Sequence, residues 1–230
     1  MNSFLDSNVV LGYIFCIDSL FEVSREYIFN SNNNFYSKNV KNEVNAVFSR
    51  KSFEFTNFLI NLTKIMNDLK DVSLISIVEF HRFIENFDDI GRFKVNEMHT
   101  AFEKLWNFFD FGENQEVFII KSNLNTFLRN FNSLNFTRKN NILNKLILID
   151  NHKNKDKTIL ELIETENLRD GLLHGSDEEI LFDANEFAKN NKDLNLKFVT
   201  ADQRFFEAIT ILKEYLSFGD CINLMEFSSN

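Results

Sequence analysis

Near opposite ends of this chain, two short apolar segments each run into an aspartate and then into a stretch with helical patterning. Ser3-Phe4-Leu5-Asp6 is followed by Ser7-Asn8 and the apolar positions Val9, Val10, Leu11, Ile14 and Phe15. Lys197-Phe198-Val199-Thr200 leads through Ala201-Asp202 into a helix predicted from Gln203 to about Leu216. Strand, polar turn and amphipathic helix is the unit from which parallel sheets are assembled, so the chain reads as α/β. Strands of one parallel sheet point their C-termini the same way, and ligands bind in the crevice beyond those ends. A lone acid in that position serves as the N-cap of the next helix. Two such acids, with the hydroxyls of Ser7 and Thr200 beside them, point instead to convergence. Convergent carboxylates repel one another, which implies a bound cation or a shared proton.

The 230 residues between and around these segments divide by texture. A loop is predicted over Asn30 to Asn34, a brief strand over Phe35-Tyr36-Ser37, and a helix from Ser37 or Lys38. From Phe55 onward the pattern becomes that of long amphipathic helices. Phe55, Phe58, Leu59, Leu62, Ile65, Met66 and Leu69 share one face, and similar spacing covers 74–87, 97–110, 116–131 and 138–149. Asp88-Asp89-Ile90-Gly91 and Gly112-Glu113-Asn114 punctuate this block, but a chain with no proline leaves its boundaries soft. Between Asn151 and Lys157, His152, Lys153, Lys155 and Lys157 form the most basic short window, read as a solvated loop. A helix over 177–190 and a last strand over 221–227 complete the return to α/β texture.

Composition limits the choices further. With 44% hydrophobic residues the chain can bury a real core. It contains no apolar run near the roughly 20 residues needed to span a bilayer, and no leader pattern, so a soluble cytoplasmic protein without membrane contact is expected. A net charge of −9 argues against a surface that attracts nucleic acid everywhere, while leaving room for a local basic groove. Cys16 and Cys221 lie in apolar runs and read as buried free thiols. The 28 Phe and 33 Asn reflect coding bias, and most of the rings are expected in the core. Trp106 with Phe102, Leu105 and Phe109 reads as core packing; His81 and His99 lack an evident partner and read as ordinary core or surface histidines.

Four elements, in order, resemble a known family. Phe4 to Phe15 is similar to the opening of a PIN-domain nuclease, with Asp6 ending the first strand and Asn8 two residues on. Ser37-Lys38-Asn39-Val40-Lys41-Asn42-Glu43-Val44 resembles the helix that carries the second acid, here Glu43. Asp177-Glu178-Glu179-Ile180-Leu181-Phe182-Asp183-Ala184 resembles the helix start bearing the third, best matched by Asp177, with Glu178, Glu179 and Asp183 as alternative registers and Asp183 ranked last. Phe198 to Phe205 is similar to the strand ending in Thr-x-Asp, here Thr200 and Asp202.

The resemblance implies a PIN-like three-layer fold with a central parallel sheet, formed by 1–51 and 165–230, plus a large all-helical insertion over 52–164. It implies Mg²⁺- or Mn²⁺-dependent cleavage of phosphodiesters, most often in RNA, as in VapC-type toxin ribonucleases; DNA remains open as substrate. Asp6, Glu43, Asp177 and Asp202 would hold the metal, directly or through water, and Asn8 and Thr200 would orient them. Such a metal lowers the pKa of a water nucleophile and stabilises charge on the phosphate. Lys38, Lys41, Arg50 and Arg204 are candidate contacts to the nucleic-acid backbone. An antitoxin or other partner on the helical insertion, and a homodimer, follow by the same analogy. Two other readings stand beside it. Leu168 to Gly175 resembles the Arg-x4-His signature of metal-independent HEPN ribonucleases, which would use Arg169 and His174. The alternative outside catalysis is an idle PIN-like scaffold for protein contacts.

Overall fold

A computed structural model describes residues 1–69, 72–84 and 95–227. The chain forms two compact units: Met1–Ile14, Leu20–Ala46 and Asn140–Asn230 make the first, and Phe15–Ser19 with Val47–Lys139 make the second.

The first unit is built on a five-stranded parallel sheet. Its strands are β1 (Asn2–Leu5), β2 (Asn33–Ser37), β5 (Ile147–Ile149), β6 (Lys197–Thr200) and β7 (Asp220–Asn223), in the spatial order β5-β2-β1-β6-β7. Near-continuous apolar segments suit strands covered on both faces, and Phe4, Leu5, Phe198 and Val199 are fully buried. Phe4 stacks on Phe198 with centroids 5.5 Å apart, and Phe198 meets Phe205 and Phe218. Helices α1 (Ser7–Ile14), α2 (Phe21–Asn30), α7 (Lys157–Thr165), α8 (Asp177–Asn190), α9 (Gln203–Leu212) and the short α10 (Leu224–Phe227) belong to this unit. Because β1 is central, the chain runs to β2 on one side of it and returns to β6 on the other. That reversal of strand order is where an open α/β sheet leaves a crevice.

The second unit is mainly helical. It takes α3 (Lys38–Asp68) from Val47 onward, α4 (Ile77–Ile84), α5 (Val95–Phe108) and α6 (Val117–Lys145) through Lys139. Its core is aromatic: Phe15 packs on Phe55 at 5.3 Å, Phe55 meets Phe131 edge-on at 6.3 Å, and Phe80 stacks on Phe102. Trp106 is buried, its Nε1–H donating to the Gly112 carbonyl. Two short strands, β3 (Leu74–Ser76) and β4 (Asn114–Glu116), pair antiparallel. Among the described residues no helix is long and apolar enough to cross a membrane.

Several elements differ from those read in the sequence. The pattern over 138–149 is the end of one continuous helix, α6, followed by β5; Ile149 is buried while Ile147 and Leu148 are exposed, as on an edge strand. Pairing of Phe35–Ser37 with Ile147–Ile149 draws the chain from Asn140 onward into the sheet-bearing unit. The predicted insertion over 52–164 therefore differs from the compact helical unit, which ends at Lys139. The last predicted strand stops at Asn223, whose side-chain Oδ1 accepts the Met225 N–H and turns the chain into α10. The stretch 74–87 divides into β3 and α4, and its last three residues, like the break at Asp88 to Gly91, lie outside the described residues. Cys16 is buried and Cys221 half-buried, and neither is in a disulfide.

Candidate active site

The register between β1 and β6 sets Leu5 opposite Val199, so the two strands end level. The Asp6 N–H donates to the Val199 carbonyl at 3.0 Å, which carries the pairing one residue past the strand. Thr200 is the hub beyond it. Its fully buried Oγ1 donates to Asp6 Oδ2 at 2.7 Å and accepts the Asp202 N–H at 3.0 Å. Asn8 closes the other side: its Oδ1 accepts the Ala201 N–H at 3.0 Å, and its amide lies 3.5 Å from Thr200 Oγ1. Asp6 is 3% exposed and also takes the Ser7 N–H on Oδ1 at 2.6 Å. Asp202 serves as the N-cap of α9, its Oδ1 accepting the N–H groups of Arg204 and Phe205. The capping role and a place at the crevice thus coexist in one residue.

Glu43 and Asp177 reach the same region from α3 and the start of α8. Ser37, fully buried at the end of β2, caps α3 through the Val40 N–H and so sets where that helix begins. Glu43 Oε2 accepts a 2.7 Å hydrogen bond from Ser176 Oγ, and Asp177 Oδ2 accepts the His174 N–H at 2.6 Å. The first turn of α8 holds Asp177, Glu178 and Glu179, where the helix dipole favours negative charge. The alternative third acids have other partners. Glu178 binds Lys155 at 2.6 Å and Arg169 at 2.7 Å, which together hold its carboxyl below the usual range despite burial. Glu179 meets Lys155 at 2.6 Å and His152 at 3.4 Å. Asp183 is buried, accepting the His152 N–H and facing its Nδ1 on Oδ1, and taking the Asn39 amide on Oδ2.

Electrostatics links the four acids pairwise, Asp6 with Glu43 and Asp177, and Asp177 with Glu43 and Asp202. Burial pushes Asp6 up to about 7; the bonds from Thr200 and Ser7 oppose this, and the charges of Glu43 and Asp177 add to it. Burial likewise raises Asp177 to about 6, against the His174 N–H and with the charges of Glu43 and Asp202. Among the described residues no three His, Cys, Asp or Glu side chains are already drawn together as ligands of one ion. Their chemistry fits a hard divalent cation nonetheless. The donors are all oxygen, their mutual repulsion is what a cation relieves, and water commonly completes such a shell.

The candidate cations fare differently. Arg204 stands at the start of α9, two residues after Asp202, with Nη1 3.1 Å from His174 Nε2. Lys38 is paired with Asp150 at 2.5 Å. Lys41 precedes Glu43 by two residues on α3, so the two side chains leave the helix on different faces. Arg50 belongs to the helical unit and lies 4.0 Å from Glu54. The basic window at 151–157 is tied to α8 through Lys155 and through the N–H groups of Lys153 and Asn154 on Glu186, while Lys153, Asn154 and Lys157 remain exposed. In the Arg-x4-His segment the two residues engage separate partners: Arg169 binds Glu178 and Glu164, while His174 meets Arg204. In the helical unit, His81 Nδ1 faces His99 Nδ1 and His81 Nε2 lies 3.4 Å from Glu103, so these histidines do have partners.

Compared with known protein families, curated proteins and solved structures, the chain matches none. Ser176 is the residue at the acids that the sequence alone did not point to. A serine before an acidic helix start reads as an N-cap, and nothing local signals that its hydroxyl reaches Glu43, 133 residues away.

Proposed function

We propose that this chain is a PIN-like, Mg²⁺- or Mn²⁺-dependent endonuclease that hydrolyses phosphodiesters, with RNA as substrate, in a toxin, defence or RNA-processing role. The observation that supports the reading is that Asp6 and Asp202 follow the level ends of β1 and β6, with the charges of Glu43 and Asp177 acting on Asp6 and those of Glu43 and Asp202 on Asp177. They come from four separate elements, and helix capping alone gives no reason for their charges to act on neighbouring acids. Asp6, Glu43, Asp177 and Asp202 would hold the cation. Once bound, it supplies a water of lowered pKa and stabilises charge on the phosphate oxygens. Thr200 keeps the Asp6 carboxylate oriented, Asn8 fixes the Ala201 turn, and Arg204 offers its guanidinium to a phosphate oxygen. The separate engagements of Arg169 and His174 weigh against the metal-independent reading. A toxin role brings an antitoxin as protein partner, and dimerisation belongs to the same proposal.

The test is cleavage of single-stranded RNA by purified protein in Mg²⁺ or Mn²⁺. Cleavage is expected, with loss in EDTA and in Asp6→Asn and Asp202→Asn. Cleavage that persists in EDTA and disappears in His174→Ala would move the assignment to the metal-independent mechanism. Absence of cleavage of RNA and DNA under both conditions would leave the scaffold reading.

A further inference from the structure

We infer that the turn His174-Gly175-Ser176-Asp177 is the clasp that assembles the site: Ser176 positions Glu43 for the cation, and His174 positions Arg204 for the phosphate. The inference rests on the nuclease reading above and names the residues that organise it.

Two links leave this one turn and a third holds an acid within it. The His174 backbone N–H holds Asp177 Oδ2 at 2.6 Å, the Ser176 hydroxyl holds Glu43 Oε2 at 2.7 Å, and the His174 ring accepts from Arg204 Nη1 at 3.1 Å. The turn is closed by the Asp177 N–H on the His174 carbonyl and passes through Gly175 at φ +55°, a left-handed conformation that side chains rarely adopt. Ser176 sits where an N-cap would sit. It has helical backbone angles (φ −86°, ψ −6°) and makes no capping bond, so its hydroxyl serves Glu43 instead of α8. Glu43 has three side-chain torsions and is only half-buried, so without that hydroxyl it samples many rotamers. The arginine guanidinium offers only N–H donors, so in this contact His174 Nε2 is the acceptor. That arrangement aims the guanidinium without neutralising it.

Because Asp177 is held by a backbone N–H and Glu43 by a side chain, the two functions of the turn separate by mutation. Mn²⁺ affinity is read by paramagnetic resonance of free ion, and cleavage of single-stranded RNA is read as kcat and KM. Ser176→Ala is expected to weaken Mn²⁺ binding about tenfold or more, the usual effect of removing a group that orients a ligand, and Ser176→Thr to restore it. Gly175→Ala, strained by φ alone since no atom lies within 4 Å of the added Cβ, is expected to weaken Mn²⁺ binding as well. His174→Ala leaves the Asp177 N–H bond in place; Mn²⁺ affinity should hold within about twofold while KM for RNA rises more than kcat falls. If wild type binds Mn²⁺ and Ser176→Ala binds it equally well, the clasp is overturned and the nuclease reading stands. If His174→Ala loses Mn²⁺ affinity and leaves KM unchanged, its assigned role is overturned. Wild-type protein that binds no Mn²⁺ overturns both readings together.

Discussion

Replacing Asp6 by Asn should stabilise the fold while abolishing cleavage, and the gain should grow with pH. Asp6 is raised from 3.8 to about 7, first by burial and then by the charges of Glu43 and Asp177. A carboxyl whose pKa is higher folded than unfolded binds its proton more tightly in the native state. Its ionisation therefore costs nothing well below pH 4, costs progressively more as pH rises, and costs its full amount above pH 7. At about 1.4 kcal/mol per pH unit, a shift of roughly three units amounts to about 4 kcal/mol at pH 8.5 and about 2 kcal/mol at pH 5. Asn carries no charge and keeps an acceptor for the Ser7 N–H, but its amide meets Thr200 Oγ1, whose hydroxyl proton then lacks the acceptor it had. That loss offsets about 1–2 kcal/mol at either pH. Urea denaturation in EDTA, followed by circular dichroism, should thus show the advantage of Asp6→Asn over wild type widening by about 2–3 kcal/mol between pH 5 and pH 8.5. A difference that stays flat with pH, or narrows, would refute the argument that a strained ionised carboxylate sits at the end of β1.

Other substitutions probe neighbouring parts of the account. Thr200→Val keeps the shape but removes both the donor to Asp6 and the acceptor for the Asp202 N–H; urea denaturation should show a loss of about 1–3 kcal/mol, and single-turnover assays a loss of cleavage. Asp183→Asn disturbs the acceptor of His152 and Asn39 and should also cost about 1–3 kcal/mol. Its folded protein should keep wild-type kcat if, as proposed, Asp177 rather than Asp183 serves as the third acid; a collapse of kcat in fully folded protein would reverse that choice.

The elements that carry the acids were the legible part of the sequence. Ser3–Asp6 and Lys197–Thr200 are dense apolar segments with polar turns behind them, and α8 begins at Asp177 as its charge pattern predicts. Such signals are local, and a strand buried on both faces announces itself by composition. The β5 strand was hidden because Ile147, Leu148 and Ile149 continue the apolar spacing of Ile142 and Leu146, and an edge strand has two exposed residues to disguise it. β4 is Asn114-Gln115-Glu116, with no apolar residue at all; it is held by pairing with Leu74–Ser76, a contact no local pattern encodes. The same holds at the site. Asp6 and Asp202 could be placed from strand ends, and Thr200 from its position at the end of β6, two residues before Asp202. The links Ser176 to Glu43 and His174 to Arg204 join distant segments, so they exist only after the chain has folded.

Whether Asp6, Glu43, Asp177 and Asp202 form one cation site is decided by Mn²⁺ binding to wild type and to the four single amide variants. One saturable site is expected in wild type, with a loss of about tenfold or more in affinity for each of Asp6→Asn, Glu43→Gln, Asp177→Asn and Asp202→Asn. Wild-type protein that binds no Mn²⁺, or four variants that bind it as tightly as wild type, would contradict it.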